Sequence, residues 1–215
     1  MKRYEQLLLE NKAWSAEMRA EDPHYFKRLT DIQQPEFLWI GCSDSRVPPN
    51  QITQTQPGEI FIHRNVANLV IHTDLNLLSV LQYAVEVLKV KHVIVCGHYN
   101  CGGVKAAMTN KSFGIINKWL RHIKDVYRLY QHEIDVLPEE QRANRLIEIN
   151  VREQVYNLAK TTIVQKSWIK HNAPDLHGWV YDLSDGIIKP LLELTPGSPL
   201  DHHIYEYENL GDVIE

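Results

Sequence analysis

Short apolar runs, separated by polar turns and by longer stretches with helical spacing, organise most of this chain. The continuous or alternating apolar runs predict four strands, at 37–41, 59–64, 92–96 and 177–183. The run at 92–96 is rich in β-branched residues and uninterrupted, which is typical of a parallel strand covered on both faces. Apolar residues at helical spacing predict helices at 3–19, 22–29, 75–89, from 102, at 116–127, and at 138–170 with a break in the middle.

Strands that alternate with helices predict an α/β fold with a mainly parallel central sheet of about four to five strands. We expect a single domain over 1–215, in which 1–34 is an N-terminal helical arm. The polar stretch from about 196 to 215 predicts an extended or mobile tail. The helix at 75–89 is apolar on nearly every face, so we expect burial on both sides and a subunit interface there.

Composition excludes several classes of protein. The 215 residues are 44% hydrophobic and 23% charged, with a net charge of −4 that argues against a nucleic-acid binder. No apolar run reaches the length of a membrane span, and residues 1–6 lack the features of a signal peptide. Three cysteines do not suggest a disulfide scaffold, so we expect a reducing, cytoplasmic location.

Candidate metal ligands follow two of the predicted strands. Cys42 and Asp44 come directly after the strand at 37–41, and His98 and Cys101 come after the strand at 92–96. Sites in α/β folds lie beyond the carboxyl ends of the strands. Because sulfur, imidazole nitrogen and carboxylate oxygen are the ligands of zinc, the sequence predicts a zinc site. Cys96 lies inside its strand, where a buried small hydrophobe is the expected role.

Arg46 makes the predicted site switchable. Four protein ligands close a zinc site, whereas a catalytic zinc keeps one position for water. A guanidinium two residues from Asp44 is a competing bidentate partner for its carboxylate. If Asp44 moves from zinc to Arg46, water can enter and its pKa falls from about 15.7 to about 7. A plain salt bridge that stabilises the turn is the alternative role for this pair.

Other residues that could be functional have plainer interpretations. His202 and His203 could bind stray metal, but a solvated tail is the favoured interpretation. Trp14, Trp119 and Trp168 fall in helical stripes and are predicted to be core residues.

The sequence around these ligands resembles the β-class carbonic anhydrases. The resemblance rests on the segments 41–48, with Cys42-x-Asp44-x-Arg46, on 63–68, and on 96–103, with His98-x-x-Cys101-Gly102-Gly103. It extends from the first helix to about Leu191 and is strongest to bacterial members of the family.

The resemblance implies zinc-dependent, reversible hydration of carbon dioxide to bicarbonate and a proton, by attack of a zinc-bound hydroxide. It implies one zinc per subunit on Cys42, His98 and Cys101, with Asp44 as the fourth ligand in a closed state. In the open state Asp44 would pair with Arg46 and orient the hydroxide. The residues that would form the substrate pocket are Phe61, Val66, Tyr83, Gly102 through its backbone, and Gln33 across a subunit interface.

One subgroup of that family carries a regulatory bicarbonate site, and Trp39, Arg64 and Tyr181 stand at the matching positions. Bicarbonate there, and low pH, would favour the closed, inactive state. The alternative is that Trp39 is a core residue and Arg64 a surface charge. The resemblance also implies a homodimer, often doubled to a dimer of dimers.

Three other functions compete with this one. A carbonyl sulfide or carbon disulfide hydrolase would use the same metal ligands, and only its pocket would differ. A non-catalytic, zinc-containing bicarbonate sensor would have no use for Arg46 beside Asp44. A nucleotide-binding domain is disfavoured, because Gly97, Gly102 and Gly103 do not form a phosphate-binding fingerprint.

Overall fold

The computed structural model describes residues 1–210 and divides into two compact units. The first covers residues 1–34, the range predicted as a helical arm, and the second begins at Pro35. Whether the whole chain behaves as a single domain stays a prediction.

The first unit consists of helices α1 (Arg3–Glu21) and α2 (Tyr25–Leu29). Trp14 of α1 packs edge-on against Tyr25 and Phe26, with ring centroids 6.3 and 5.6 Å apart. The prediction of Trp14 as a core residue is wrong, because its ring remains 42% exposed. Two short helices contain too little chain to bury a residue of this size.

Within residues 1–210 the second unit contains one five-stranded sheet, in the order β2-β1-β3-β4-β5. The predicted α/β fold is therefore confirmed: β1, β2, β3 and β4 pair in parallel, and β5 runs antiparallel to β4. The strands are β1 (Phe37–Cys42), β2 (Ile60–Asn65), β3 (His92–His98), β4 (Asp175–Tyr181) and β5 (Ile188–Leu194).

Strand β5 was missed by the apolar pattern. It contains Pro190, which cannot donate to a ladder of hydrogen bonds and is tolerated at a sheet edge. β5 pairs only with β4, and a bulge interrupts this pairing between Gly178 and Trp179. Periodicity alone does not identify such an irregular edge strand.

The α-helices of the second unit lie between the parallel strands in the sequence. They are α3 (Pro49–Thr53), α4 (Leu75–Gln82), α5 (Gly102–Ala107), α6 (Ile116–Leu129), α7 (Gln131–Ile134), α8 (Glu139–Ala159) and α9 (Thr162–His171). The predicted break in the long helical region is confirmed, since the hydroxyl of Thr161 accepts a hydrogen bond from Val164 N and caps α9. Neither α3 nor α7 was predicted.

The predicted helix at 75–89 differs from the observed one in shape and in burial. It is α-helical as far as Gln82 and continues as a turn of π-helix over Tyr83–Val87. Leu77 and Leu81 are buried, but Tyr83 is 43% exposed and Val87 60% exposed. The single chain thus leaves one apolar side of this segment exposed, and its burial in a subunit interface stays a prediction.

Helix α8 covers one face of the sheet at very close range. Its Val151 lies against β3 and β4 where both carry glycine: a Cβ on Gly97 would lie 2.6 Å from Val151 Cγ2, and one on Gly178 would lie 3.1 Å from Val151 Cγ1. Val151, Val155 and Leu158 are fully buried in the core between this helix and the sheet. The glycines therefore set the distance between α8 and the strand that carries His98.

The segment predicted as a free tail is held to the second unit as far as Tyr207. The side chain of Gln165 donates a hydrogen bond to the carbonyl oxygen of Tyr205 and accepts one from Tyr207 N. Lys160 pairs with Asp201 at 2.8 Å. The last part of the predicted tail, 211–215, lies outside the described residues.

Trp119 and Trp168 are half-buried and pack against the core. None of the helices in residues 1–210 is both long and apolar enough to cross a membrane.

We expect Gly97→Ala to destabilise the protein by about 1–3 kcal/mol, because the new methyl group forces α8 away from β3. Urea unfolding followed by circular dichroism measures the change. Adding Val151→Ala removes the clashing methyl group and should recover part of the loss. Gly102→Ala is the control, since a Cβ there meets no atom of the described residues within 4 Å. Equal stability of Gly97→Ala and wild type would contradict this account.

Candidate functional site

Parallel pairing of neighbouring strands brings the two predicted ligand turns together. β1 pairs with β3 in the register that sets Gly41 opposite Cys96, so Cys42 and His98 follow at the same edge of the sheet. Cys101 is the residue directly before α5. Three residues from distant parts of the sequence thus meet at the carboxyl edge, where α/β folds place their sites.

Cys42, His98 and Cys101 form a compact group of metal-ligand atoms. These atoms all lie within 4.8 Å of one another, and the two sulfurs are 3.9 Å apart. All three side chains are buried, with 5% or less of the residue exposed. Two sulfurs and one imidazole are a ligand set that zinc accepts, and three protein ligands leave a coordination position open.

The imidazole of His98 is oriented as a metal ligand. Its Nδ1 lies 2.9 Å from the carbonyl oxygen of Tyr99, an acceptor, so Nδ1 carries the proton and donates. The lone pair is then on Nε2, which is buried and has no hydrogen-bond partner among residues 1–210. A buried polar nitrogen without a partner requires an explanation. A metal ion between Nε2 and the two sulfurs provides one, so the residues present fit zinc.

The two sulfurs lie in hydrogen-bond contact and shift each other's pKa in opposite directions. The hydrogen bond from the Cys101 thiol lowers the pKa of Cys42 to about 4, and the same contact raises the pKa of Cys101. Cys96 is buried inside β3, as predicted, and burial raises its pKa.

Asp44 is paired with Arg46 in this structure. Its Oδ1 accepts hydrogen bonds from Arg46 N (3.0 Å) and Nε (2.9 Å), and its Oδ2 accepts one from Nη2 (2.7 Å). The hydrogen bonds from the Arg46 side chain hold the pKa of Asp44 well below its usual range. Oδ2 is also 3.8 Å from His98 Nε2. Asp44, predicted as a fourth metal ligand, is thus outside the three-ligand group but adjacent to it.

Arg64 holds the backbone of the turn that carries Cys42 and Asp44. Its Nε donates to the carbonyl oxygen of Cys42 at 2.8 Å, and its Nη2 donates to that of Asp44 at 2.5 Å. Arg64 is therefore not simply a surface charge.

Trp39 and Tyr181, predicted to bind bicarbonate with Arg64, belong to one apolar cluster on the second face of the sheet. Trp39 is only 2% exposed, and its ring lies so close to Gly41 that a Cβ there would be 2.4 Å from Nε1. Tyr181 is half-buried. Trp39 and Tyr181 thus belong to the same cluster, Arg64 lies on β2, which pairs with β1, and the binding of bicarbonate by the three residues stays a prediction.

The residues predicted to form the substrate pocket are brought together only in part. The rings of Phe61 and Tyr83 are 5.8 Å apart. Val66 lies next to the ligand turn, because a Cβ on Gly103 would be 2.9 Å from its Cγ1. Gly102 begins α5 directly after Cys101. Gln33 belongs to the first unit, so its predicted contact across a subunit interface stays a prediction.

Polar residues on the buried side of α8 position the loop that follows β2, and the sequence interpretation missed them. Asn150 donates to the carbonyl oxygen of Ala67 at 3.3 Å. Gln154 accepts from Val70 N at 2.7 Å, and Asn157 donates to the carbonyl oxygen of Val70 at 3.0 Å. The spacing i, i+4, i+7 of amides among apolar residues was the available signal.

An ionic network fixes the side chain of Tyr99, the residue whose carbonyl oxygen orients His98. Its hydroxyl donates to Glu148 at 2.6 Å, and Arg145 pairs with the same carboxylate at 2.8 Å. Burial and the contact with Glu148 raise the pKa of Tyr99, so it remains a neutral donor. Arg145 and Glu148 also belong to α8, so this helix positions both the loop that follows β2 and the turn that follows β3.

Comparison with known proteins gives one consistent result. The family model of carbonic anhydrase matches residues 37–188. A carbonic anhydrase of Emericella nidulans is 49% identical over 195 residues, which is 90% of this chain and 86% of that protein. A β-carbonic anhydrase of Coccomyxa, solved with acetazolamide, superposes over all of both chains with a TM-score of 0.89 and 35% identity. Crystal structures of two tetrameric β-carbonic anhydrases from Sordaria macrospora provide a match of TM-score 0.85 and 36% identity, covering 89% of this chain and 98% of the other.

We expect Cys101→Ala to lose most of its bound zinc, because it removes one of three ligands, whereas Cys96→Ala retains it. Zinc per chain after dialysis against a weak chelator, measured by inductively coupled plasma mass spectrometry, tests this. The two cysteines are similarly buried, so the comparison separates ligation from packing. Equal zinc loss in both variants would contradict the assignment.

Proposed function

The chain belongs to the β-class carbonic anhydrase family of enzymes, and from that premise we propose that it hydrates carbon dioxide reversibly to bicarbonate and a proton, with one zinc ion held by Cys42, His98 and Cys101. The observation that carries the proposal is the buried group of two sulfurs and a partnerless imidazole nitrogen at the carboxyl edge of the sheet. Zinc bound there supplies a Lewis acid that makes water a nucleophile near neutral pH.

Asp44 and Arg46 would orient the reacting water. The two hydrogen bonds from the Arg46 side chain fix the carboxylate plane, and the low pKa of Asp44 keeps it an acceptor across the neutral range. A carboxylate held this way can accept a hydrogen bond from the nucleophile and leave its lone pair aimed at the substrate. Phe61, Val66 and Tyr83 would provide the apolar side of the pocket, which suits a substrate without a charge. Gly102 would contribute backbone, and Gln33 of a neighbouring subunit would hydrogen-bond the product.

We further infer that Asp44 exchanges Arg46 for the metal in an inactive state. Support comes from its Oδ2, which is bonded to Arg46 and already lies 3.8 Å from His98 Nε2. A small rotation of the side chain could therefore change its partner.

Bicarbonate bound by Trp39, Arg64 and Tyr181 would favour that inactive state, as would low pH. Arg64 provides a physical link, because its guanidinium holds the carbonyls of Cys42 and Asp44 in the present arrangement. An anion that binds the guanidinium of Arg64 would replace its hydrogen bonds to the carbonyl oxygens of Cys42 and Asp44. Such a ligand binds the two arrangements of the turn with different affinity, which is the requirement for shifting their populations.

A homodimer, or a dimer of dimers, is the assembly we propose. Support comes from the apolar residues that the single chain leaves exposed on α1 and along 75–87, and from the tetrameric relatives in Sordaria macrospora. A cytoplasmic location and the bacterial subgroup both stay predictions.

We expect Asp44→Asn to lower the rate of carbon dioxide hydration by roughly 10²-fold, because an amide cannot hold both the Arg46 fork and the reacting water in place. Stopped-flow hydration by zinc-loaded protein, followed with a pH indicator from acidic to alkaline pH, measures the rate. Wild-type activity should rise with pH. Asp125→Asn is the control, since Asp125 pairs with Arg121 on the exposed side of α6.

Full activity of Asp44→Asn would remove the proposed role of this carboxylate. Absence of hydration by the wild type at every pH, with one zinc per chain, would overturn the proposed reaction and favour hydrolysis of carbonyl sulfide or carbon disulfide, or bicarbonate sensing.

Tyr181→Phe should weaken inhibition by bicarbonate about tenfold, because one hydrogen bond to a charged ligand is lost. Trp39→Phe should weaken it as well. Initial rates at increasing bicarbonate measure the inhibition, and Tyr130→Phe is the control, since its hydroxyl bonds to Glu153 on α8. Unchanged inhibition in both Tyr181→Phe and Trp39→Phe would place the inhibitory site elsewhere.

A further inference from the structure

A second group of metal-ligand side chains lies at the opposite end of the sheet from the zinc ligands. It consists of His92, the first residue of β3, together with Asp175 and His177 of β4. The strand register places His92 opposite Asp175 and Ile94 opposite His177. His92 is six residues from His98 along β3, which corresponds to ~20 Å at ~3.3 Å per residue. The two groups therefore cannot share a metal ion.

The ligand atoms of this second group are spaced almost as a metal ion requires. His92 Nδ1 lies 3.1 Å from His177 Nε2 and 3.7 Å from Asp175 Oδ2, and all three atoms lie within 4.8 Å of one another. Bonds of ~2.0–2.1 Å in tetrahedral geometry place neighbouring ligand atoms roughly 3.3 Å apart. Small side-chain rotations would therefore suffice to bind an ion.

Neighbouring aromatic rings hold the two imidazoles in place. Phe37 of β1 stacks on His92, with ring centroids 5.4 Å apart and planes 22° apart. Trp179 lies 5.9 Å from His177 on the same strand. Because the rings are already ordered, a metal ion would not have to immobilise them.

Charge and protonation also suit a cation. Both imidazoles are half-buried, and a neutral imidazole is the form that ligates a metal ion. Glu193 lies opposite His177 in β5 and, like Asp175, adds negative charge near the group. Lys91, the nearest lysine in sequence, is paired with Glu36 at 3.0 Å.

Without metal, a hydrogen bond joins the two rings. At 3.1 Å, one of His92 Nδ1 and His177 Nε2 carries the proton that the other accepts. A metal ion needs both lone pairs, so the donor ring must move its proton to its other nitrogen. The change is a tautomer shift with no net release of a proton. Because this shift costs free energy, the group should bind a metal ion more weakly than a site such as that of His98, where the Nε2 lone pair is already free.

We propose that His92, Asp175 and His177 form a second site for Zn²⁺ or a similar borderline divalent metal ion, with three protein ligands and water in the remaining position. An ion there would cross-link the first residues of β3 and β4. Because it lies at the far end of β3 from Cys42, His98 and Cys101, it would affect the stability of the sheet more than the reaction.

Zinc titration by isothermal calorimetry, with protein that already carries one zinc per chain, tests the proposal. We expect wild type to take up a second zinc per chain, and excess zinc to raise its melting temperature. His177→Gln should lose the second equivalent and the thermal shift while it keeps the first zinc, which also shows that the variant is folded. Asp175→Asn should bind the second zinc about tenfold more weakly or worse, because the ligand loses its charge.

The matched control is the double variant His202→Ala/His203→Ala. These two histidines stack with ring centroids 4.4 Å apart in an exposed turn and are the natural site for adventitious zinc. The control should keep the second equivalent. Loss of that equivalent in the control but not in His177→Gln would overturn the proposal, and so would a wild type that takes up no second zinc.

Discussion

The parallel pairing of β1 with β3 holds the three candidate metal ligands together, and the remainder of the site depends on it. Neighbouring parallel strands end at the same edge, so the turns after Cys42 and His98 meet although 56 residues separate them. A shift of one residue in this register would move the imidazole or the sulfur to the other face of the sheet. The glycines of β3 and β4 let α8 press on these strands, which ties the register to the core.

Helix α8 connects the packing of the core to the chemistry at the edge. Its apolar residues fill the space over the sheet, while its amides bind the backbone of the loop at 66–70 and its charged residues hold Tyr99. Asn150, Gln154 and Asn157 bond to that loop, and Glu148 bonds to the Tyr99 hydroxyl, so specific partners fix the geometry of these side chains. A loop that is fixed in this way presents Val66 and the neighbouring ligand turn at a constant distance.

The metal ligands themselves are poorly satisfied without an ion. A buried imidazole nitrogen without a partner among residues 1–210 is unfavourable. Zinc bound there would give this nitrogen a partner, so metal binding would stabilise this edge of the sheet. Arg46 keeps Asp44 out of the group in this structure, and Arg64 holds the same turn by its carbonyl groups. The guanidinium groups of Arg46 and Arg64 thus determine the arrangement of the turn that carries Asp44. A ligand that binds either group could therefore change the position of Asp44.

The sequence by itself determined the fold class, the four parallel strands and the ligand turns, because periodicity and short motifs are local properties. It also identified Cys96 as a buried residue. The tertiary structure decided what depends on packing between distant segments: the edge strand β5 with its proline, and the exposure of Trp14 and of one side of the helix at 75–89. It also decided that Arg64 bonds to the turn at 42–44 and that His92 meets Asp175 and His177. No sequence pattern contains these contacts, since the strand register that brings their residues together is set by the whole sheet.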